Sequence, residues 1–296
     1  MNGRLEHGTV IAAHRRESVV RADDGSLLRS LARGRSLRLA CADRVAFVRS
    51  ASGEGVIEAV SPRANEFARA AEHRRKVIAA NLQQVVILIA CEPTWDDELV
   101  CRMLVAAQQA GLPAVLALNK VDLTGRRKRN LERLAAFGGL GLPVVEISAK
   151  RDAESLRPHL AGRRTLLVGQ SGMGKSTLVR ALVPHAEVRI REISRYLDAG
   201  RQTTTAARLY QLDASSELVD SPGVSEFGLA GFTAQAIAGG FPEIARHAHA
   251  CRFRDCRHLV EPGCAVQAAA ESGAIHPRRL ALYRQIVRAQ AGAARA

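Results

Sequence analysis

Leu166-Leu167-Val168-Gly169-Gln170-Ser171-Gly172-Met173-Gly174-Lys175-Ser176-Thr177 is the stretch whose reading decides the fold. An apolar run ends at Val168, a glycine-rich turn follows, and a helical spacing of Leu178, Val179 and Leu182 begins directly after it. Gly-x4-Gly-Lys-Ser between a strand and a helix is a phosphate loop. Its glycines let successive backbone N–H groups turn inward around phosphate oxygens at a helix N-terminus. Lys175 places a compact charge on the β and γ oxygens, and Ser176 can ligand Mg²⁺. Residues Gly169, Gln170, Ser171, Gly172, Met173, Gly174, Lys175, Ser176 and Thr177 are therefore the expected phosphate cradle.

Working outward, Asp220-Ser221-Pro222-Gly223 follows the apolar pair Leu218-Val219. There Asp220 can hold a Mg²⁺-bound water and Gly223 can offer its N–H to a γ-phosphate. Upstream, Asn119-Lys120-Val121-Asp122 ends the strand-like Ala114 to Leu118, and Ser148-Ala149-Lys150 follows. Asp122 would accept hydrogen bonds from the guanine N1–H and exocyclic amine, a pattern adenine cannot supply. The base-reading residues Asn119, Lys120, Asp122, Ser148, Ala149 and Lys150 thus precede the phosphate loop, the reverse of an ordinary P-loop GTPase. The domain is expected to be circularly permuted. Five of the 43 basic residues are lysine, and three of those five, Lys120, Lys150 and Lys175, fall inside these motifs. A chain that otherwise uses arginine keeps the compact ammonium where phosphate and base are read.

The first seventy residues read as five short strands, Gly8 to Ala13, Ser18 to Ala22, Ser26 to Leu31, Arg44 to Arg49 and Gly55 to Val60, with Asp23-Asp24-Gly25 as a hairpin turn. Five strands of this length suit an OB-type β-barrel, with another five-stranded barrel as the alternative. Phe47 is the one aromatic within them, so base stacking on this barrel should be a minor contribution. From Gln84 to Asp220 strands alternate with helices, as in a mainly parallel α/β sheet. The stretches Asp97 to Ala110 and Lys128 to Phe137 are read as core-facing helices. Expected domains are 1–70, an RNA-binding barrel; 71–228, the circularly permuted GTPase domain; and 229–296, a mostly helical zinc-binding domain.

Cys251-x4-Cys256-x-His258-x5-Cys264 supplies three thiolates and an imidazole, a set that suits one tetrahedral structural Zn²⁺. Pro262-Gly263 would turn the chain back to bring Cys264 to the metal. Cys41, Cys91 and Cys101 sit among apolar residues and are expected to be small core side chains.

Across 296 residues, 47% are hydrophobic, but no stretch approaches the ~20 apolar residues that span a bilayer. No apolar signal-peptide core occurs near the N-terminus, so a cytoplasmic monomer with no membrane partner is expected. The net charge of +14 exceeds what a nucleotide needs and points to a polyanionic partner, against the blander reading of a general arginine bias. Clusters at Arg33/Arg35/Arg38, Arg74-Arg75-Lys76, Arg126-Arg127-Lys128-Arg129 and Arg278-Arg279 suggest a broad phosphate-contacting face.

The permuted order, the barrel-like start and the Cys-x4-Cys-x-His-x5-Cys cluster together resemble the RsgA family, ribosome small-subunit-dependent GTPases also called YjeQ. Pro62-Arg63-x-Asn65, Ala79-Ala80-Asn81, Gly200-Arg201-x-Thr203-Thr204-Thr205 and Asp220 to Gly228 carry the resemblance further. It implies GTP hydrolysis with Mg²⁺, one structural Zn²⁺, and the small ribosomal subunit and its rRNA as partners in late maturation. The alternative is a GTP-gated RNA-binding module whose hydrolysis is incidental. Val224 stands where many GTPases place a water-orienting glutamine, so slow unaided hydrolysis is expected. Gln202 occupies a position that is typically His in the family; its amide could orient water but cannot take a proton. One threonine of 203–205, Thr204 in this reading, would complete the Mg²⁺ shell. The expected catalytic residues are then Lys175, Gln202, Thr204, Asp220 and Gly223.

Overall fold

The computed structural model describes residues 4–14, 17–34, 37–51, 53–71, 74–183, 185, 206–223, 227–229 and 231–293. Apolar residues, alternating or in short runs, build the N-terminal segment into β1 (Leu5–His14), β2 (Glu17–Ala22), β3 (Leu27–Ala32), β4 (Arg44–Ala51) and β5 (Glu54–Val60). β1 pairs antiparallel with both β2 and β4, and β3 pairs parallel with β5, so the ring closes in the order β1-β2-β3-β5-β4. That is the OB arrangement, and it decides between the two barrels the sequence allowed. A bulge between Val10 and Ala12 bends the ten-residue β1 so that it can serve two neighbours. Val10, Val20, Leu28, Val45, Phe47 and Ile57 fill the interior, which makes Phe47 a core side chain.

A two-stranded hairpin follows, β6 (Glu66–Ala71) with β7 (Arg74–Ala80). It ties the barrel to the rest of the chain. Ala80 N–H donates to the Cys41 carbonyl at 2.9 Å, and Ala70 N–H donates to the Gly228 carbonyl at 2.9 Å. Phe67 meets Phe227 with ring centroids 5.7 Å apart. A β-carbon on Gly228 would lie 2.5 Å from the Ala70 carbonyl oxygen, so this crossing accepts only glycine.

The nucleotide-type sheet contains β8 (Gln84–Ala90), β9 (Ala114–Asn119), β10 (Val144–Glu146), β11 (Arg164–Gly169), β12 (Arg208–Gln211) and β13 (Glu217–Asp220). Its order is β10-β9-β8-β11-β13-β12, parallel except for β12 against β13. All seven residues of β8 are buried, as a strand covered on both faces requires. The helices here are α1 (Asp97–Gln109), α2 (Thr124–Leu134), α3 (Arg157–Leu160) and α4 (Lys175–Leu182). α1 starts because the Asp96 carboxylate accepts the Glu98 N–H at 2.8 Å. Along α2 only Asn130 and Leu134 are buried, so it presents most of its length to solvent.

Four more helices, α5 (Ala234–Gly239), α6 (Pro242–Ala248), α7 (Ala265–Glu271) and α8 (Pro277–Ala293), complete the described chain. Two of them, α5 and α8, dock on α1. At the seam Arg279 is buried, donates to the Glu243 carboxylate at 2.7 Å and to Cys101 Sγ at 3.0 Å, and lies 4.3 Å from the Phe241 ring centroid. Asp97, also buried, holds Arg133 of α2 at 2.6 Å and pairs with Arg278 of α8. Arg278-Arg279, read from sequence as part of a phosphate-contacting face, is instead structural at Arg279. Cys41, Cys91 and Cys101 are buried thiols as expected, and no described helix is long and apolar enough to cross a membrane.

Candidate functional site

The motifs that the sequence separates meet around one cavity of about 550 Å³. It lies where β9, β11 and β13 end, the usual place for ligands in an open parallel sheet. Asn119, Lys120, Asp122, Ser148, Ala149 and Lys150 line one part. Ser171, Gly172, Gly174, Lys175, Ser176, Thr177, Asp220 and Gly223 line the other. Leu123, Ser221 and Pro222 also line it and were not among the expected site residues. Their positions beside Asp122 and between Asp220 and Gly223 were the available signal; Leu123 and Pro222 carry no polar group, and the Ser221 hydroxyl donates to the Leu167 carbonyl at 2.8 Å.

Asn119 is the knot of the half lined by residues 119–122 and 148–150. Its side-chain oxygen accepts N–H groups from Lys120 at 2.8 Å and Ala149 at 2.9 Å, and its amide donates to the Met173 carbonyl at 2.8 Å. One buried side chain thereby fixes three loops. A β-carbon on Gly174, whose φ is +97°, would lie 2.4 Å from that amide nitrogen, so the phosphate loop approaches Asn119 only because Gly174 has none. Ser148 donates to the Asp122 carboxylate at 2.8 Å, and this bond is the first cause of the lowered Asp122 pKa. Asp122 itself is half-buried and lines the cavity as an anion. Lys120 donates to the carbonyls of Glu92 at 2.6 Å and Gly172 at 3.0 Å, bracing the cavity rim.

In the phosphate half, Lys175 Nζ donates to the Gly169 and Gln170 carbonyls at 2.7 and 3.1 Å. Burial lowers the Lys175 pKa, with the Asp220 charge opposing. Asp220 is pushed up to about 6 by burial, against the pull of Lys175 and Arg208. Its Oδ1 is buried with no hydrogen-bond partner among the described residues. An orphaned carboxylate oxygen beside Ser176 fits a hydrated hard cation, which takes oxygen donors. A β-carbon on Gly223 would sit 3.2 Å from Lys175 Nζ, so the backbone after Asp220 passes directly over the lysine.

Three cradle residues do not face the cavity. Gly169 ends β11 so tightly that a β-carbon would meet the Leu88 carbonyl oxygen at 2.4 Å. Gln170 turns its side-chain oxygen to the Asp96 N–H at 3.1 Å, and Met173 is packed in the core beneath the loop. Gln202, Thr204 and the neighbouring threonines, with Val224, lie outside the described residues.

Away from this cavity the C-terminal cluster is drawn together. The ligand atoms of Cys251, Cys256, His258 and Cys264 all lie within 4.8 Å of one another. His258 Nδ1 is 3.5 Å from both Cys251 Sγ and Cys264 Sγ, and those two sulfurs are 4.0 Å apart. Tetrahedral Zn²⁺ with N and S ligands sets such atoms about 3.5 to 3.8 Å apart, so the four fit a closed structural site. The site is braced from outside: Arg284 donates to the His258 carbonyl at 2.7 Å, and Glu261 accepts the Arg257, Leu259 and Val260 N–H groups at 2.8 to 3.0 Å.

A family model described as RsgA GTPase matches residues 60–230. A small ribosomal subunit biogenesis GTPase RsgA of Bordetella pertussis is 46% identical over 297 residues, covering 99% of each chain. Its counterpart in Ralstonia pickettii is 43% identical over 290 residues, 95% of this chain and 92% of the other. The crystal structure of YjeQ from Thermotoga maritima superposes with a TM-score of 0.75 at 28% identity, covering 98% of this chain and 99% of that one. YloQ, a circularly permuted GTPase, matches in fold with a TM-score of 0.72 at 23% identity, over 98% and 96% of the two chains.

Proposed function

The chain belongs to the RsgA GTPase family, and from that premise we propose that it is a biogenesis factor which hydrolyses GTP on the small ribosomal subunit late in its maturation. It acts as a cytoplasmic monomer whose partner is the subunit's rRNA. The observation that carries this reading is the shared cavity, in which Asp122 and Lys175 face one ligand-sized space although the sequence order of their motifs is reversed.

In this reading residues 71–228 form the catalytic domain, 1–70 an RNA-binding barrel and 229–296 the zinc domain. Asp122 selects guanine, with Asn119, Lys120, Ser148, Ala149 and Lys150 holding it and its loop in place. Within the loop 169–177, Ser171, Gly172, Gly174, Lys175, Ser176 and Thr177 cradle the phosphates while Gly169, Gln170 and Met173 hold the turn beneath them, and Lys175 stabilises charge that grows on the γ-phosphate during transfer. Mg²⁺ accompanying GTP would be held by Ser176, with Asp220 holding a metal-bound water and Thr204 completing the shell, and would neutralise β and γ oxygens. Gly223 offers its N–H to the γ-phosphate, and Gln202 orients the attacking water. Cys251, Cys256, His258 and Cys264 hold one Zn²⁺ that keeps the C-terminal fold together.

Incubating the protein with cell extract and a non-hydrolysable GTP analogue, then sequencing the co-purified RNA, tests the partner. Enrichment of small-subunit rRNA over large-subunit rRNA, lost with Lys175→Ala, is the expected result. Equal recovery of bulk RNA with and without the analogue would refute it.

A further inference from the structure

Phe253 is the one exposed aromatic side chain among the described residues, with 41% of its surface accessible. It sits between Cys251 and Cys256 on a turn whose backbone is fixed from both sides. Cys256 N–H donates to the Phe253 carbonyl at 3.3 Å, and Arg252 N–H donates to the Gly263 carbonyl at 3.1 Å. The Arg252 stem lies over that second turn, since a β-carbon on Gly263 would meet Arg252 Cβ at 3.1 Å. The Arg252 guanidinium is 5.5 Å from the Phe253 ring centroid.

Among the described residues, the arginines around this ring hold no carboxylate partner. Arg252, Arg254 and Arg257 are exposed, and among the described residues none of them is ion-paired to a carboxylate. Nearby Glu261 spends both oxygens on backbone N–H groups, which leaves Asp255 as the exposed acid of the loop. The barrel differs: there Arg33, Arg44 and Arg49 are matched by Glu58, Asp23, and Glu6 with Asp24. An apolar ring held rigidly among unpaired guanidiniums fits a ligand with a flat π-face and phosphates on either side. We propose that Phe253 is a stacking platform for one unpaired RNA nucleobase, with Arg252, Arg254 and Arg257 on the adjoining phosphates. Duplex RNA is excluded as the ligand of the ring, because its bases are already stacked on each other. The subunit-bound form of this inference rests on the rRNA partner proposed above.

The test uses the full-length, zinc-loaded protein. Phe253→Trp places an indole on the platform, and the single native tryptophan, Trp95, is buried and gives a steady background. Its emission is expected to be quenched by a single-stranded oligoribonucleotide and by small subunits, and not by an RNA duplex of equal length. Phe253→Ala should weaken binding of both the single strand and the subunit by roughly 5- to 150-fold, the measured range for one stacked base. Phe253→Tyr should bind like the wild type, and Phe253→Leu like the alanine variant. Zinc content equal to wild type shows that each variant is folded at this loop. Wild-type affinity in Phe253→Ala, or full affinity in Phe253→Leu, would overturn the platform. Quenching by the single strand with no binding of subunits would keep the platform and sink the ribosomal reading. Subunit binding untouched by any substitution at Phe253 would do the reverse.

Discussion

At the residue scale two carboxylates do opposite work. Asp122 is held as an anion at the cavity wall by Ser148, so its value lies in its acceptor pattern. Asp122→Asn should weaken GTP binding and favour xanthosine triphosphate, because an amide reverses one donor and acceptor pair; competition of the two nucleotides for the variant measures this. Asp220 is buried with an unpartnered oxygen and its pKa is pushed up to about 6. Above that pH the nucleotide-free fold carries a buried charge whose cost, from a shift of this size, is about 1 to 3 kcal/mol. Asp220→Asn should therefore raise the Tm of the nucleotide-free protein at pH 7.5 while lowering GTP turnover. A variant that loses both stability and turnover would contradict this reading of Asp220.

At the element scale, what could be read from the sequence follows how local each signal is. The phosphate loop was legible because the strand, glycines, lysine and helix are contiguous, and the five barrel strands because each alternates or runs apolar over its own length. The Cys251 to Cys264 cluster was legible for the same reason: its ligands lie within one short stretch. The β6–β7 hairpin escaped, since its apolar anchors are few and Phe67 finds its partner in distant Phe227. The inward turn of Gln170 escaped as well, because Asp96 is its partner and nothing in the loop's own sequence names it. For the cluster, one zinc per chain is expected by metal analysis of protein purified without chelators, and Cys256→Ser should lose it. GTP affinity should stay within a few-fold of wild type, because the cavity and the cluster share no residue; a large loss of nucleotide binding would show that the two are coupled more tightly.

On the scale of the whole molecule, the C-terminal helices are seated on α1 by buried charge. The positive clusters of the sequence therefore divide into a structural part, Arg279 with Glu243 and Asp97 with Arg133 and Arg278, and a part left facing solvent. No spacing within either segment could announce pairs so distant in sequence. Removing one partner of a buried pair leaves the other uncompensated, so Arg279→Met should cost about 3 to 5 kcal/mol in unfolding free energy, and the Arg279→Met, Glu243→Gln double variant should recover much of it. The reordered motifs are proposed to form a GTPase that the small ribosomal subunit activates. Steady-state GTP turnover with and without purified small subunits, at low and then raised salt, tests this most directly. Slow turnover alone, marked acceleration by subunits at low salt, and loss of that acceleration as salt screens the phosphate contacts are expected; an unchanged rate with subunits at low salt would contradict the ribosomal role.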